Sequence, residues 1–227
     1  MDALRTLGQI GLRLGLLALL ATAALHTHLA LAEQPEPGSK TNRVLVLGDS
    51  ISAAYGMSLE QGWVAVLEQR LVEKWPQIEL VNASISGDTS AGGLRRLPAL
   101  LQEHEPILFI LELGGNDGLR GYPTNQLRDN LQEMTMLAQQ SGASVLIVPM
   151  EIPPNYGPRY TSAFRAAFSE TAEETGAELS RFILDGIATE TSLMQSDGIH
   201  PTVDAQAMIA DLLEPYVRSL LEKELSQ

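Results

Sequence analysis

The stretch Arg43-Val44-Leu45-Val46-Leu47-Gly48-Asp49-Ser50 joins an apolar run to a glycine, a carboxylate and a hydroxyl, and a similar arrangement occurs twice more. Ile78 to Val81 leads into Ser84-Ile85-Ser86-Gly87-Asp88, and Ile107 to Leu113 leads into Gly114-Gly115-Asn116-Asp117. Short apolar runs separated by helix-length segments predict parallel β-strands. Because ligands bind beyond the carboxyl ends of such strands, we expect the three polar clusters to meet in one crevice.

Apolar residues at helical spacing occupy the segments between and after these runs. We expect helices over Gly62 to Trp75, about Thr89 to Gln102, around Leu127 to Ala138, about Thr161 to Thr175 and from near Asp204, with a fourth strand over Ser144 to Val148. Pro98 is expected to kink or end the second helix, and Pro215 to kink the last one. Strands that alternate with helices predict an α/β fold with helices on both faces of a parallel sheet.

The N-terminal residues are predicted to lie outside that fold. Arg5 and Arg13 give a basic start, Leu14 to Leu25 is apolar but too short to span a membrane comfortably, and Ala30-Leu31-Ala32 has the form of a signal-peptidase site. We therefore expect a cleaved signal peptide over residues 1–32, a short tether over 33–42 and a single domain over 43–227. This predicts a periplasmic or secreted protein with no stable membrane anchor after cleavage, a retained amphipathic anchor being the alternative.

Charge and cysteine content restrict the classes of partner. The 227-residue chain has a net charge of -13, which becomes -14 (13 basic against 27 acidic residues) when the predicted leader is removed. Such an acidic protein repels nucleic acid, and it also disfavours polyanionic substrates. The absence of cysteine excludes a disulfide framework and a lipidated cysteine.

Ser50 is a candidate nucleophile because it follows the first strand at a sharp exit where Gly48 can turn freely. A serine hydroxyl needs a base to remove its proton. His26 and His28 lie in the predicted leader, and His104 lies in a charged turn where we expect a solvated loop residue. On this local evidence a helix N-cap remains an alternative role for Ser50.

His200 is the remaining candidate base, and Asp197 precedes it by three positions. A tight turn would let the Asp197 carboxylate accept from one imidazole nitrogen, which leaves the other nitrogen free for Ser50. The alternative for Asp197-Gly198 is an ordinary turn signal. The backbone amides of Ser50 and Gly87 and the side-chain amide of Asn116 could supply donors for a developing oxyanion. These residue types together favour acyl transfer.

These motifs carry a family resemblance. Gly48-Asp49-Ser50, Gly87, Gly115-Asn116-Asp117 and Asp197-Gly198-Ile199-His200-Pro201 resemble, in order and spacing, the four sequence blocks of the SGNH (GDSL) hydrolases. More narrowly, Val81 to Leu101, Leu111 to Gly121 and Pro154 to Gly157 are similar to the bacterial periplasmic acyl-CoA thioesterase, lysophospholipase and arylesterase group. Ile51 stands in place of the leucine in the family's name.

The resemblance implies a three-layer α/β/α, flavodoxin-like parallel sheet. It also implies that Ser50 is the nucleophile, His200 the base and Asp197 its orienting carboxylate, with Ser50, Gly87 and Asn116 forming the oxyanion hole. Neither a cofactor nor a metal is implied. The expected activity is that of an exported serine esterase acting through an acyl-enzyme on small-molecule carboxylic esters and on thioesters.

The substrate and two rival functions stay open at this point. Aryl esters, short acyl esters and lysophospholipids are all candidate substrates. The residues that could form the wall of a pocket for an apolar group are Leu119, Tyr122, Met150, Ile152, Pro153, Pro154 and Tyr156. Ordinary packing of the loops is the alternative role for each of them. We also expect the Gly118 to Pro123 loop to close over the apolar part of the substrate. One rival is a metal-dependent phosphohydrolase that holds Mg²⁺ on Asp49, Asp88 and Asp117. The other is a non-enzymatic flavodoxin-like binding module.

Overall fold

A parallel β-sheet forms the centre of the computed structural model, which describes residues 42–226. The predicted signal peptide over 1–32 and the predicted tether, except its last residue, lie outside the described residues. Asn42, which was expected to end the tether, is already part of the first strand.

Five strands of this region pair in the order β2-β1-β3-β4-β5, and every pairing is parallel. They are β1 (Asn42–Gly48), β2 (Ile78–Asn82), β3 (Leu108–Glu112), β4 (Ser144–Ile147) and β5 (Glu178–Leu179). The order is that of a flavodoxin-like sheet. β3 is buried along its whole length, which is typical of a parallel strand covered on both faces and explains its continuous apolar run.

Helices cover both faces of the sheet and complete the predicted three-layer α/β/α fold, which is confirmed. They are α1 (Trp63–Val72), α2 (Ser90–His104), α3 (Gly115–Leu119), α4 (Thr124–Gln140), α5 (Pro158–Thr175) and α6 (Val203–Leu225). α1 packs against α6, whereas α4 packs against both α2 and α5. Trp63, Phe109, Phe164 and Phe168 are among the largest side chains that are fully buried in the core.

The second helix continues through Pro98, which does not end it, and extends two residues beyond the expected Gln102. Thr89 caps its start, where the side-chain oxygen accepts the Gly92 N–H at 3.2 Å. Glu105, the residue that follows the helix and caps its end, has a φ of 43° in the left-handed region. His104 is therefore the last residue of a helix, with a side chain that is 20% exposed, and the expectation of a solvated turn was wrong.

Other boundaries differ from the sequence-based expectation in ways that local chemistry explains. The first helix is shorter at both ends than predicted, and α5 begins earlier, at Pro158, because proline fits the first position of a helix. α6 continues past Pro215. β5 and α3 were not predicted, since β5 has two residues and Gly-Asn-Asp-Gly-Leu has the composition of a turn.

None of the helices within residues 42–226 is both long enough and apolar enough to cross a membrane.

Candidate active site

The three polar clusters meet at one edge of the sheet, as predicted. Ser50 follows β1, Gly87 lies beyond β2, and Asn116 lies in α3 directly after β3. Because β1 pairs with both β2 and β3, their carboxyl ends are adjacent. A cavity of about 1070 Å³ opens there, and its lining includes Ser50, Gly87, Asn116 and His200. This is the crevice in which doubly wound sheets bind ligands.

Ser50, His200 and Asp197 form a continuous hydrogen-bonded chain. The distance from His200 Nε2 to Ser50 Oγ is 2.8 Å, and that from His200 Nδ1 to Asp197 Oδ2 is 2.6 Å. The imidazole thus contacts a hydroxyl with one nitrogen and a carboxylate with the other. This is the arrangement in which a base can accept a serine proton while a third group orients the base.

A tight turn fixes the Asp197 carboxylate in this position. Its Oδ1 accepts the backbone N–H groups of Ile199 at 2.9 Å and His200 at 3.0 Å. Gly198, inside the turn, has a φ of 67°. The hydrogen bond from the His200 imidazole, followed by the two backbone N–H groups, lowers the pKa of Asp197 from 3.8 to about 2. Asp197 is therefore ionised throughout the neutral range, and the 38% exposure of its side chain also favours the charged form.

Tyr55 packs against the His200 imidazole and was not found by sequence reasoning. The two ring centroids are 4.3 Å apart with planes inclined at 31°. Gln195 joins the two segments, since its Nε2 donates to the carbonyl oxygens of Tyr55 at 2.8 Å and Pro201 at 3.0 Å. The only signal in the sequence was an aromatic residue soon after Ser50.

The candidate oxyanion donors are held in place by neighbouring groups. Asn116 Nδ2 donates one hydrogen to Asp49 Oδ2 at 3.1 Å, which leaves its second N–H available. The Gly87 carbonyl accepts from Arg120 Nη2 at 3.1 Å. Gly114, before Asn116, has a φ of 121°, a conformation in which a side chain is strained.

Asp49 and Glu112 form a buried pair of carboxyl groups beneath Ser50. The Asp49 N–H donates to Glu112 Oε2 at 3.1 Å, and Ser52 Oγ donates to the same oxygen at 2.5 Å. Burial raises the pKa of Asp49 from 3.8 to about 6, while burial and then the nearby Asp49 charge raise the pKa of Glu112 well above 4.5. Glu112 was not singled out in the sequence, where the signal was one acidic residue inside the apolar run ending at Leu113.

The cavity wall agrees only in part with the residues expected there. Leu119, Met150, Ile152, Pro153 and Pro154 line the cavity. Tyr122 and Tyr156 do not lie among its lining residues, so the structure does not place them as walls.

These two tyrosines instead take part in hydrogen bonds that hold the neighbouring loop. Tyr156 Oη donates to the Leu119 carbonyl at 2.7 Å, and Tyr160 Oη donates to the Tyr122 carbonyl at 2.6 Å. The facing wall was not predicted, and it includes Phe182, Leu184, Ala188, Met194 and Ile199.

The other strand-end carboxylates have separate partners. Asp88 pairs with Arg96 at 2.7 Å, and Asp117 accepts from the N–H of Ser90 at 2.8 Å and from its hydroxyl at 2.6 Å. Within residues 42–226, no group of three or more His, Cys, Asp or Glu side chains is arranged to hold a metal ion. The three aspartates of the rival magnesium site thus have structural interactions of their own.

Comparisons with known proteins agree with this geometry. Residues 46–208 match the model of the GDSL-like Lipase/Acylhydrolase family. The chain is 49% identical to Esterase TesA of Pseudomonas aeruginosa over 178 residues, covering 78% of this chain and 89% of that protein. It is 42% identical to Thioesterase 1/protease 1/lysophospholipase L1 of Escherichia coli over 182 residues, covering 80% of this chain and 86% of that protein.

A solved structure gives the same result. The psychrotrophic esterase EstA from Pseudoalteromonas sp., inhibited by monoethylphosphonate, superposes with a TM-score of 0.76 at 43% identity, covering 80% of this chain and 99% of EstA. The chain therefore belongs to the GDSL-like lipase/acylhydrolase family, the SGNH hydrolases, and is an ester hydrolase of that family.

Proposed function

We propose that this protein is an exported serine esterase that hydrolyses carboxylic esters and thioesters through an acyl-enzyme on Ser50. The observation that supports this best is the hydrogen-bonded chain from Ser50 through His200 to Asp197 at the edge of a large cavity. A helix N-cap would not place the Ser50 hydroxyl against an imidazole. A simple binding module would have no need of a base oriented by a carboxylate.

In the first half-reaction, Ser50 Oγ attacks the acyl carbon while His200 Nε2 takes the serine proton. Charge that develops on the acyl oxygen is stabilised by the N–H groups of Ser50, Gly87 and Asn116. The Asp197 carboxylate stabilises the imidazolium. His200 then gives its proton to the departing alkoxide, phenoxide or thiolate, which leaves the acyl group esterified to Ser50.

In the second half-reaction, water replaces the leaving group. His200 Nε2 accepts a proton from a water molecule while the water oxygen attacks the acyl carbon. The N–H groups of Ser50, Gly87 and Asn116 again stabilise the oxyanion. Collapse of this intermediate breaks the bond to Ser50 Oγ, which recovers its proton from His200. The products are a carboxylic acid and the free enzyme.

The cavity supports an apolar acyl or aryl group as the part of the substrate that is bound. Its walls carry aliphatic and aromatic side chains, including Ile152, Phe182 and Leu184. Each methylene buried against such a surface contributes about 0.8 kcal/mol at most. The net charge of -13 disfavours phosphate-rich thioesters such as those of coenzyme A. Short to medium acyl esters, aryl esters and lysophospholipids fit these properties.

Export is part of the proposal and rests on the N-terminal sequence alone. Arg5, Arg13, the apolar run and Ala30-Leu31-Ala32 are typical of a signal peptide. N-terminal sequencing of the protein recovered from cell fractions tests this. A periplasmic or secreted form that begins near Glu33 supports export, whereas a cytosolic form that retains Met1 contradicts it.

The activity is tested with nitrophenyl esters of increasing chain length, one lysophospholipid and one acyl thioester. Ser50→Ala should fold normally and lose several orders of magnitude in kcat, because the nucleophile is gone. Ser84→Ala is the matched control, since the Ser84 hydroxyl is buried without a hydrogen-bond partner in the described part of the chain. Near-normal turnover by folded Ser50→Ala, or loss of wild-type activity on chelation, would contradict the proposal.

A serine-directed phosphonate gives a second readout. It should attach to the wild-type protein and to Ser84→Ala, and to neither His200→Ala nor Ser50→Ala at a comparable rate. Equal labelling of Ser50→Ala would show that another residue is the nucleophile.

A further inference from the structure

We propose that Tyr55 is a positioning residue, whose aromatic ring holds the His200 imidazole in the orientation in which it exchanges a proton with Ser50. The inference rests on the proposed function, since it concerns the base of the acyl-transfer reaction. It assigns a role in that reaction to an aromatic side chain that lines the cavity and belongs to a residue that is 48% exposed.

The hydrogen bonds of His200 leave one motion of its ring unrestrained. Nδ1 contacts Asp197 and Nε2 contacts Ser50, and both nitrogens bond along directions in the plane of the imidazole. A tilt of the ring about the line through its two nitrogens moves neither nitrogen. Both distances can then be kept while the bonding directions turn away from the partners, which weakens the hydrogen bonds. A contact on the face of the ring is needed to resist this tilt.

Tyr55 supplies such a contact. Its ring centroid lies 4.3 Å from that of His200, with the two planes inclined at 31°. The neighbouring Ile199 is 43% exposed, whereas the His200 side chain is only 15% exposed. The face of an aromatic ring also attracts a positive charge, so the contact strengthens when His200 takes the serine proton. The interaction therefore favours the transition state over the ground state.

The backbone of Tyr55 is bonded to the segments of both the nucleophile and the base. Its N–H donates to the Ser50 carbonyl at 3.0 Å, and its carbonyl accepts Gln195 Nε2 at 2.8 Å. The Gln195 N–H in turn donates to the His200 carbonyl at 2.7 Å. Tyr55 thus connects two parts of the chain that are far apart in sequence, and the position of its ring follows both of them.

The turn around Tyr55 is shaped for these contacts. Ala54, which is buried, has a φ of 55°, and Gly56 has a φ of 81°. A left-handed conformation is unfavourable for alanine and persists only where the surrounding structure requires it. A Cβ at Gly56 would lie 2.7 Å from Gln195 Oε1, so glycine leaves the space that the glutamine occupies. The residues on both sides of Tyr55 therefore fit its bond to Gln195.

The substitution Tyr55→Leu removes the aromatic face and keeps an apolar side chain and both backbone bonds. We expect kcat to fall by about 10- to 100-fold, as small misplacements of a catalytic group do. KM should change little, because His200 acts in both half-reactions and both become slower. Tyr55→Phe keeps the ring and should retain nearly all of the activity. Tyr216→Leu is the matched control, since Tyr216 packs against the core from α6 and is not among the cavity's lining residues.

The leaving group distinguishes a misplaced base from a loss of folded protein. Nitrophenyl acetate and ethyl acetate share one acyl group, but nitrophenoxide departs without a proton whereas ethoxide takes one from His200. Tyr55→Leu should therefore lower kcat/KM more for ethyl acetate than for nitrophenyl acetate. Partial unfolding would lower both by the same factor. Titration with the serine-directed phosphonate counts the active sites, and circular dichroism and thermal melting confirm the fold.

A second variant reaches the same contact from the other side. Gln195→Glu has nearly the same shape but places an acceptor where Nε2 donates to the carbonyls of Tyr55 and Pro201. It leaves the aromatic ring in the chain and should lower kcat with the same dependence on the leaving group. It provides the test if Tyr55→Leu folds poorly.

The outcomes separate this inference from the proposed function. Wild-type kcat in folded Tyr55→Leu, an equal loss on both acetates, or Tyr55→Phe as slow as Tyr55→Leu would overturn the role of Tyr55 while Ser50 stays essential. A loss caused wholly by KM would also overturn it, because it would place Tyr55 in substrate binding. Folded Ser50→Ala that turns over normally would instead overturn the proposed function, whatever the Tyr55 variants show.

Discussion

The substitution Glu112→Gln should make the stability of this protein less dependent on pH. In the folded chain Glu112 is fully buried, and burial together with the nearby Asp49 charge raises its pKa well above 4.5. In the unfolded chain the same group ionises near its ordinary value. Unfolding therefore releases a proton from Glu112 above that pH, and the folded state is destabilised as the pH rises.

The size of the effect follows from proton linkage. A carboxyl group that is neutral when folded and ionised when unfolded costs about 1.4 kcal/mol of unfolding free energy per pH unit. Glutamine is a neutral side chain of the same shape, so its carbonyl oxygen can accept from Asp49 N–H and Ser52 Oγ, as Oε2 does. Its amide at the Oε1 position lacks a partner, which subtracts about 1–3 kcal/mol independently of pH. The informative quantity is thus the slope.

Urea unfolding of both proteins at several pH values measures that slope. The unfolding free energy of Glu112→Gln minus that of the wild type should rise by about 1.4 kcal/mol per pH unit from about pH 5 upward. The rise ends at the pH where Glu112 ionises in the folded protein. Asp49 is present in both proteins, so its own titration contributes little to the difference. Parallel curves would refute the reasoning, because they would show that Glu112 binds its proton equally well in both states.

Two other predictions use different readouts. His200→Ala should lower kcat by several orders of magnitude, because His200 is the base that contacts Ser50. His104→Ala should leave turnover of a nitrophenyl ester unchanged, and the reverse result would show that the base is misassigned. Gly48→Ala should lower the unfolding free energy by about 1–3 kcal/mol in the same urea assay, because the added methyl group overlaps the Glu112 carboxyl and forces β1 or β3 to shift. A variant as stable as the wild type would show that this edge of the sheet is loosely packed.

Residues at strand ends were predictable from the sequence because topology alone brings them together. Ser50, Gly87 and Asn116 follow three apolar runs, and parallel pairing of those runs places their ends side by side. The relation of Asp197 to His200 was predictable for another reason, since a three-residue spacing with Gly198 between them allows a local turn. Neither inference required knowledge of the loops.

Side-chain directions in loops were not predictable. Tyr122 and Tyr156 were expected on the cavity wall, but outside helices and strands no periodicity determines which way a side chain points. The wall that contains Phe182 and Leu184 was missed because its position depends on how the chain after β5 returns over the cavity. Glu112 was overlooked since the apolar run around it predicts the strand whether or not one acid is present.

The base and the nucleophile of this enzyme belong to parts of the chain with very different anchoring. Ser50 directly follows the buried strand β1. His200 lies in a segment with exposed residues, and that segment is held by the bridge between Met194 and Pro201, by hydrogen bonds of the Gln195 and Thr202 side chains and by the contact of Tyr55 with the imidazole. Segments with few buried contacts open at a lower free energy than the core around them. Heating or mild denaturant should therefore detach the base and stop turnover reversibly while the sheet stays intact. The working temperature range of such an enzyme can then evolve through a few surface hydrogen bonds, without any change to its core.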